Sequence, residues 1–292
     1  MLTPTPVQPS PAALPPGIRT ITVMQPLHWL ALAWRDMARC GWISFAHGLV
    51  LSLLGAGILF IAHDRFWLLA GAFSSFLIVA PFLATSLYAL SRAVERGEKA
   101  DLQLVLKTWL RWQHSHKSKL GNDYWRIVQF GTLLALAGVG WVLTSAAFIT
   151  LFTPQPVNSP ADFIRHVVLA EKGFVFESWL MLGGLLAAPM FASSAVAIPL
   201  LLDRRVTLMQ AVLTSWRTVL ANPLPMAFWA ALIMVFTFLG MASALLGLIA
   251  ILPMLGHASW HAYRDLVDVS GLPELDAAPD MPARDKTAKD DR

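Results

Sequence analysis

Charge is what this chain has least of. Asp, Glu, Lys and Arg together make up 14% of its 292 residues, where soluble domains carry roughly 25%. So little charge cannot cover a water-facing surface, which excludes a soluble enzyme; the 56% of hydrophobic residues excludes a disordered protein. Cysteine is nearly missing as well. Cys40 stands alone, so no internal bridge forms and a disulfide scaffold is excluded. Absent too are G-x-x-x-x-G-K-[ST], H-E-x-x-H and G-x-S-x-G. No catalytic residue is therefore assigned. The apolar stretches hold no Asp or Glu in their interiors, where pumps and proton-coupled transporters commonly carry them.

What the chain does have is long apolar runs. A spanning helix needs about 20 such residues, and the runs place crossings at about 41–62, 66–90, 125–151, 178–202, 225–245 and 246–266. The last two come from one run too long for a single crossing, split near Ala244–Gly247. The predicted fold is all-α: a polytopic membrane protein whose domain, residues 21–267, has six transmembrane helices in three hairpins. Residues 1–20 read as a Pro-rich disordered tail without the n- and h-regions of a signal peptide. Residues 268–292 read as a charged disordered tail. Of the 22 basic residues, 19 fall on one face, against Arg65, Arg165 and Lys172 on the other. The positive-inside rule then puts both termini in the cytoplasm. The net charge of +4 is a topology signal and not a nucleic-acid footprint. Trp42, Trp67, Trp125, Trp179, Trp229 and Trp260 lie near crossing ends, as an aromatic belt would.

An internal repeat organises the crossings. Pro81-Phe82-Leu83-Ala84-Thr85-Ser86, Pro189-Met190-Phe191-Ala192-Ser193-Ser194 and Pro253-Met254-Leu255-Gly256-His257-Ala258 share one pattern, and Arg92, Arg204 and Arg264 follow them. Before each hairpin sits a short amphipathic stretch with Trp, the second capped by Asp101 and the third by Thr207. These read as interfacial helices. The chain is thus expected to be three parallel units with threefold pseudo-symmetry. Each proline kinks its helix near the bilayer midplane, and Thr85, Ser193 and His257 would form a polar ring about the axis. Gly48, Ser52 and Ala56, and likewise Gly184, Ala188 and Ala192, read as packing faces.

Intramembrane histidines are functional candidates by default. His47 lies in the first crossing; His257 and His261 sit at i, i+4 in the last. Two opposed imidazoles could ligate haem iron, but no third Cys or carboxylate completes a metal set, so no metal site is assigned. Interhelical hydrogen bonding is the plainer role.

The segments Gly41-Trp42, Ser44-Phe45-Ala46-His47-Gly48, Pro81 to Tyr88, Glu95-Arg96-Gly97-Glu98 and Gly256 to Arg264 carry a resemblance. Over residues 20–268 the chain resembles an uncharacterised proteobacterial family of integral membrane proteins, domain of unknown function 2189. The resemblance implies an inner-membrane location and no assigned activity. Some such proteins look like cytochrome c oxidase subunit I, but the residues here do not support that function, since that subunit has more crossings and more metal-binding histidines than this chain offers. The functional expectation is a non-enzymatic membrane protein, without a cofactor, that serves as a small-solute pathway or an assembly scaffold. The alternative is a haem- or quinone-binding component of a respiratory complex. The expected partners are the lipid bilayer and another membrane protein or a second copy, not nucleic acid.

Overall fold

The computed structural model describes residues 16–115, 123–170 and 174–275. Most of both tails, 1–15 and 276–292, lies outside the described residues, and so do residues 116–122 and 171–173. The tail boundaries move, however. A strand β1, Gly17–Ile18, pairs antiparallel with β2, Val267–Asp268, and the chain stays packed through buried Val269, Leu272 and Leu275. These apolar residues recur every three positions inside an Asp- and Pro-rich stretch, and the polar composition hides them.

The three amphipathic stretches are helices: α1 (Gln25–Cys40), α5 (Leu102–Ser115) and α10 (Leu208–Ala221). Asp101 Oδ1 accepts from Leu104 N at 2.9 Å, the expected cap of α5. Thr207 and Gln210 form a reciprocal capping box on α10.

The hairpins follow in order. The first joins α2 (Trp42–Ala62) to α3 (Phe66–Leu83) and α4 (Thr85–Glu95). The second joins α6 (Asp123–Phe152) to α8 (Val175–Ser194) and α9 (Ala197–Asp203), with the short α7 (Pro160–Phe163) and one π turn between. The third joins α11 (Pro223–Ala242) to α12 (Leu248–Leu266). Pro81 and Pro189 are each followed by a helix break, at Ala84 and at Ala195–Val196. Pro253 is not; α12 runs through it unbroken.

Five segments are long and apolar enough to cross a bilayer, by length and composition: Trp42–Ala62, Phe66–Glu95, Trp125–Phe152, Val175–Asp203 and Pro223–Ala242. The expected sixth, α12, falls short. Its second half carries His257, Ser259, His261, Arg264 and Asp265, and burial against protein replaces lipid there.

Most of the core sits at the basic end of the bundle. It gathers α4, α9 and the second half of α12 under α1 and α10. Each amphipathic helix rests on the second arm of another hairpin: α1 on α12, α5 on α4, and α10 on α8 and α9. Trp29 and Trp229 meet edge to face with centroids 5.5 Å apart. Trp229 and Trp260 are each 1% exposed, so they are core residues and not members of an aromatic belt. Trp42 is 66% exposed, as a belt residue would be. At the far end a smaller cluster of Trp67, Ile149, Val157, Phe163, Val167 and Trp179 ties the first two hairpins together.

The expected packing stripe on α2 is present as Gly48, Ser52 and Gly55; Ala56 points outward. A Cβ on Gly48 would lie 2.0 Å from the Ile249 carbonyl oxygen, so only glycine lets α2 and α12 approach this closely. On α8 the stripe is not used: Gly184 and Ala188 are exposed and only Ala192 is buried, because that face of the helix meets no neighbour.

Candidate functional site

The site begins with α1. Trp29, Ala33, Asp36 and Cys40 are spaced i, i+4, i+7 and i+11, one face of a helix, and that face is buried. An acid has therefore been placed among apolar neighbours. Asp36 is 1% exposed, and it survives there because two donors meet it.

His261 Nε2 lies 2.8 Å from Asp36 Oδ2, and the Ser91 hydroxyl donates to the same oxygen at 2.8 Å. Ser91 Oγ also lies 2.7 Å from His257 Nδ1, and His257 Nε2 lies 2.9 Å from Ser44 Oγ. Proton counting orders this chain. Ser91 has one hydroxyl hydrogen and gives it to a carboxylate, which can only accept. The His257 contact must then run from Nδ1–H to Ser91 Oγ. A neutral His257 ring leaves Nε2 to accept from Ser44. The result is an unbroken hydrogen-bonded series, Ser44–His257–Ser91–Asp36–His261, drawn from α1, α2, α4 and α12.

Burial opposes the charge on Asp36. The hydrogen bonds from His261 and Ser91, with the fields of His261 and His257, nonetheless hold its carboxyl below the usual carboxylate range. Its second oxygen, Oδ1, is buried with no partner. At the end of α1, burial pushes the Cys40 thiol up to about 11, against a lowering contact from Ser44, so this thiol is unreactive.

Asp36 and His261 also line a pocket of about 230 Å³, completed by Arg35, Arg39, Val94, Glu95 and Arg264. Glu95 is fully engaged, accepting from Arg264 Nε at 2.9 Å and from Trp260 Nε1 at 2.9 Å. A second buried acid, Asp203, stands nearby on α9. It accepts from the Tyr263 hydroxyl at 2.8 Å, Arg204 Nε at 3.0 Å and Arg96 at 3.3 Å. Arg92 donates to the Leu202 carbonyl at 3.0 Å.

The expected site residues divide. His257 and His261 are brought together through Ser91 and Asp36. His47 is separately bonded, to the Ile43 carbonyl at 3.1 Å and to Ser86 at 2.6 Å. No hydrogen bond joins Thr85 and Ser193 to His257. Thr85 donates to the Phe82 carbonyl at 2.5 Å, satisfying the backbone beside the Pro81 break, and Ser193 accepts from Trp216 Nε1 at 2.9 Å. Both ring nitrogens of His47 and of His257 are already bonded, so this arrangement does not offer the two free imidazoles that axial haem ligation needs. Among the described residues no three His, Cys, Asp or Glu gather as a metal-ligand set.

Residues 68–203 match the family described as predicted integral membrane protein (DUF2189), the family the sequence resembles. No curated protein and no solved structure matches the chain. The family match runs from α3 to the end of α9. It therefore includes Ser86, Ser91 and Asp203, and leaves out Asp36, Ser44, His257 and His261.

Proposed function

We propose that this chain is a non-enzymatic protein of the bacterial inner membrane that provides a pathway for a small polar solute, with the pocket between α1, α4 and α12 as its cytoplasmic mouth. The 19-to-3 excess of basic residues supports a cytoplasmic basic end with both termini there. The hydrogen-bonded series from His261 to Ser44 carries the reading. A polar chain in an otherwise apolar bundle is expensive, and a purely structural contact between α1 and α12 would not need five members. Ser52, deeper on α2, continues the polar edge by donating to the Leu245 carbonyl at 3.2 Å.

Substituted-cysteine labelling tests this without knowing the solute. In a Cys40→Ala background, Arg39→Cys, Ser44→Cys and Ser52→Cys are exposed to a small hydrophilic thiosulfonate from the cytoplasmic side. A pathway labels all three at falling rates and spares Val50→Cys on the outward face of α2. Labelling of Arg39→Cys alone would leave a scaffold role.

The cyclic packing of α1, α5 and α10 supports a three-unit, parallel-repeat reading. So do the repeat arginines. Arg92 reaches Leu202 of the second unit, Arg204 reaches Leu272 after the third, and Arg264 reaches Glu95 of the first. The third unit differs from the others in depth. Its turn, Ser243–Gly247, lies beside Ser52 and Gly55, seven residues, or about 10 Å, short of the end of α2. The turn carries no charge. Its Gly247 N–H is met by Ser243 Oγ at 2.8 Å, as irregular backbone within hydrocarbon requires. We read this hairpin as turning inside the bilayer and returning, which replaces the last two of six crossings and keeps both termini cytoplasmic. Leu246→Cys should then resist membrane-impermeant thiol reagents from both sides; labelling from the periplasm would restore six crossings.

A further inference from the structure

The amphipathic helices α1, α5 and α10 each bury one face, and each shows a second apolar face at the surface. On α1, Leu27, Ala31 and Trp34 are exposed at i, i+4 and i+7, away from the buried side that carries Trp29 and Asp36. On α5, Leu102 and Leu106 are exposed beside the polar Gln103 and Lys107. On α10, Met209, Leu213 and Leu220 are exposed at i, i+4 and i+11, beside Arg217. A helix that packs on protein with one face and meets water with the rest is polar everywhere but on the packed stripe. These three are not, and a repeated exposed apolar face marks an interaction surface.

An inward tryptophan fixes the depth of each helix. Trp29 meets Trp229, which lies about 9 Å along α11 from its start at Pro223. Trp109 meets Phe82 edge to face with centroids 5.5 Å apart, and Phe82 lies about 24 Å from the start of α3 at Phe66. Trp216 donates to Ser193 at 2.9 Å, about 27 Å from the start of α8 at Val175. A hydrocarbon core of about 30 Å takes in all three contacts, close to its boundary at the basic end. We propose that the second apolar faces form a collar sunk among the acyl chains of that leaflet, with lipid as the partner. Lys107 and Arg217, beside the stripes, have the length to reach up to the phosphates. The arrangement argues for lipid over protein. The helices rest on different hairpin arms, α1 on α12, α5 on α4 and α10 on α8 and α9, so the stripes are distributed around the bundle. A partner protein or a second copy would cover one of them; a leaflet surrounds all three. The charge asymmetry names this leaflet as the cytoplasmic one, but the collar depends neither on that nor on what the pocket passes.

Nitroxide labels read this directly. In the Cys40→Ala background, Leu27→Cys, Leu106→Cys and Leu213→Cys are labelled one at a time, and the full chain is placed in phospholipid vesicles. Molecular oxygen concentrates in hydrocarbon, while a nickel chelate stays in water; the two compete to relax the spin. Each label should collide more with oxygen than with the chelate, as Val50→Cys does on the outward face of α2, and Lys107→Cys should reverse that order. Chelate contact at all three sites equal to that at Lys107→Cys would put the stripes in water and overturn the proposal. Exclusion of both reagents, with spin–spin broadening between copies, would make the stripes a protein interface and overturn it as well. Trp34→Phe needs no label and changes little at an exposed site. It should weaken the quenching of the chain's fluorescence by lipids brominated near the glycerol end of the acyl chain, and unchanged quenching would contradict the collar. Failure of Ser44→Cys to label sinks the pathway and leaves the collar standing; chelate contact along the stripes does the opposite.

Discussion

Two buried acids stand at the basic end of this bundle, and their surroundings could hardly differ more. Asp203 on α9 is met by Tyr263, Arg204 and Arg96, so both of its side-chain oxygens are bonded. Asp36 on α1 is met by a histidine and a serine on one oxygen, and by nothing on the other. The first is a clamp, closing α4, α9 and α12 on one another with fixed charges. The second is part of a chain of neutral and titratable groups that opens on a pocket. Two carboxylates of the same kind thus do different work because of their partners: guanidinium groups hold, while hydroxyls and imidazoles relay and leave room for a ligand.

The same substitution should separate them. Asp203→Asn takes the buried anion from among the partly exposed Arg96, Arg204 and Arg264 and should cost about 3 kcal/mol, from the loss of charge-assisted hydrogen bonds. Thermal unfolding of the detergent-purified chain measures it, and a loss below about 1 kcal/mol would deny the clamp. Next in size is Gly48→Ala. Its new methyl would meet the Ile249 carbonyl oxygen, so α2 and α12 must separate, at about 1–3 kcal/mol. Because this parts Ser44 from His257, labelling at Ser91→Cys should also rise. Asp36→Asn should cost less, about 1 kcal/mol, since burial offsets most of what the hydrogen bonds and fields of its neighbours contribute to the charged form. A large loss there would make Asp36 a second clamp.

The smallest effect is the one that depends on pH. The folded pKa of Asp36 lies below its unfolded value. Its contribution to stability is therefore fully present above the unfolded pKa, about 3.9, and is lost as pH falls through the lower folded value. The stability difference between wild type and Asp36→Asn should hold steady from neutral pH down to about 4 and narrow below it. A difference that changes between pH 5 and 8 would assign it to a histidine instead.

Much of the architecture was legible in the sequence, because it follows from local pattern. Apolar length marked the arms, Asp101 and Thr207 marked helix starts, and His47, His257 and His261 each proved to be bonded at a helix contact. The rotation of the repeat about each helix axis was not legible. Equivalent positions in three proline motifs need not face one axis, and Thr85 and Ser193 turn to their own neighbours. The polar series was hidden for another reason. Serines in apolar helices are commonplace, and Ser44 and Ser91 acquire meaning only from His257, 213 and 166 residues away. One clue was present: Asp36 lies at helical spacing on the apolar face of α1, where an acid needs a partner. The depth of α12 was likewise obscured, since its polar second half is buried by α1 and α4, a contact that spacing within one helix cannot report.

The direction of protons along the series tests the account most directly. With imidazole nitrogens labelled with ¹⁵N in the full chain, magnetic resonance distinguishes a protonated ring nitrogen from a bare one. The hydrogen count at Ser91 predicts that His257 carries its proton on Nδ1 and leaves Nε2 bare, facing Ser44. A proton on Nε2 with Nδ1 bare would mean that Ser91 donates to His257 and not to Asp36, and the chain from the pocket to the bundle interior would be broken at its centre.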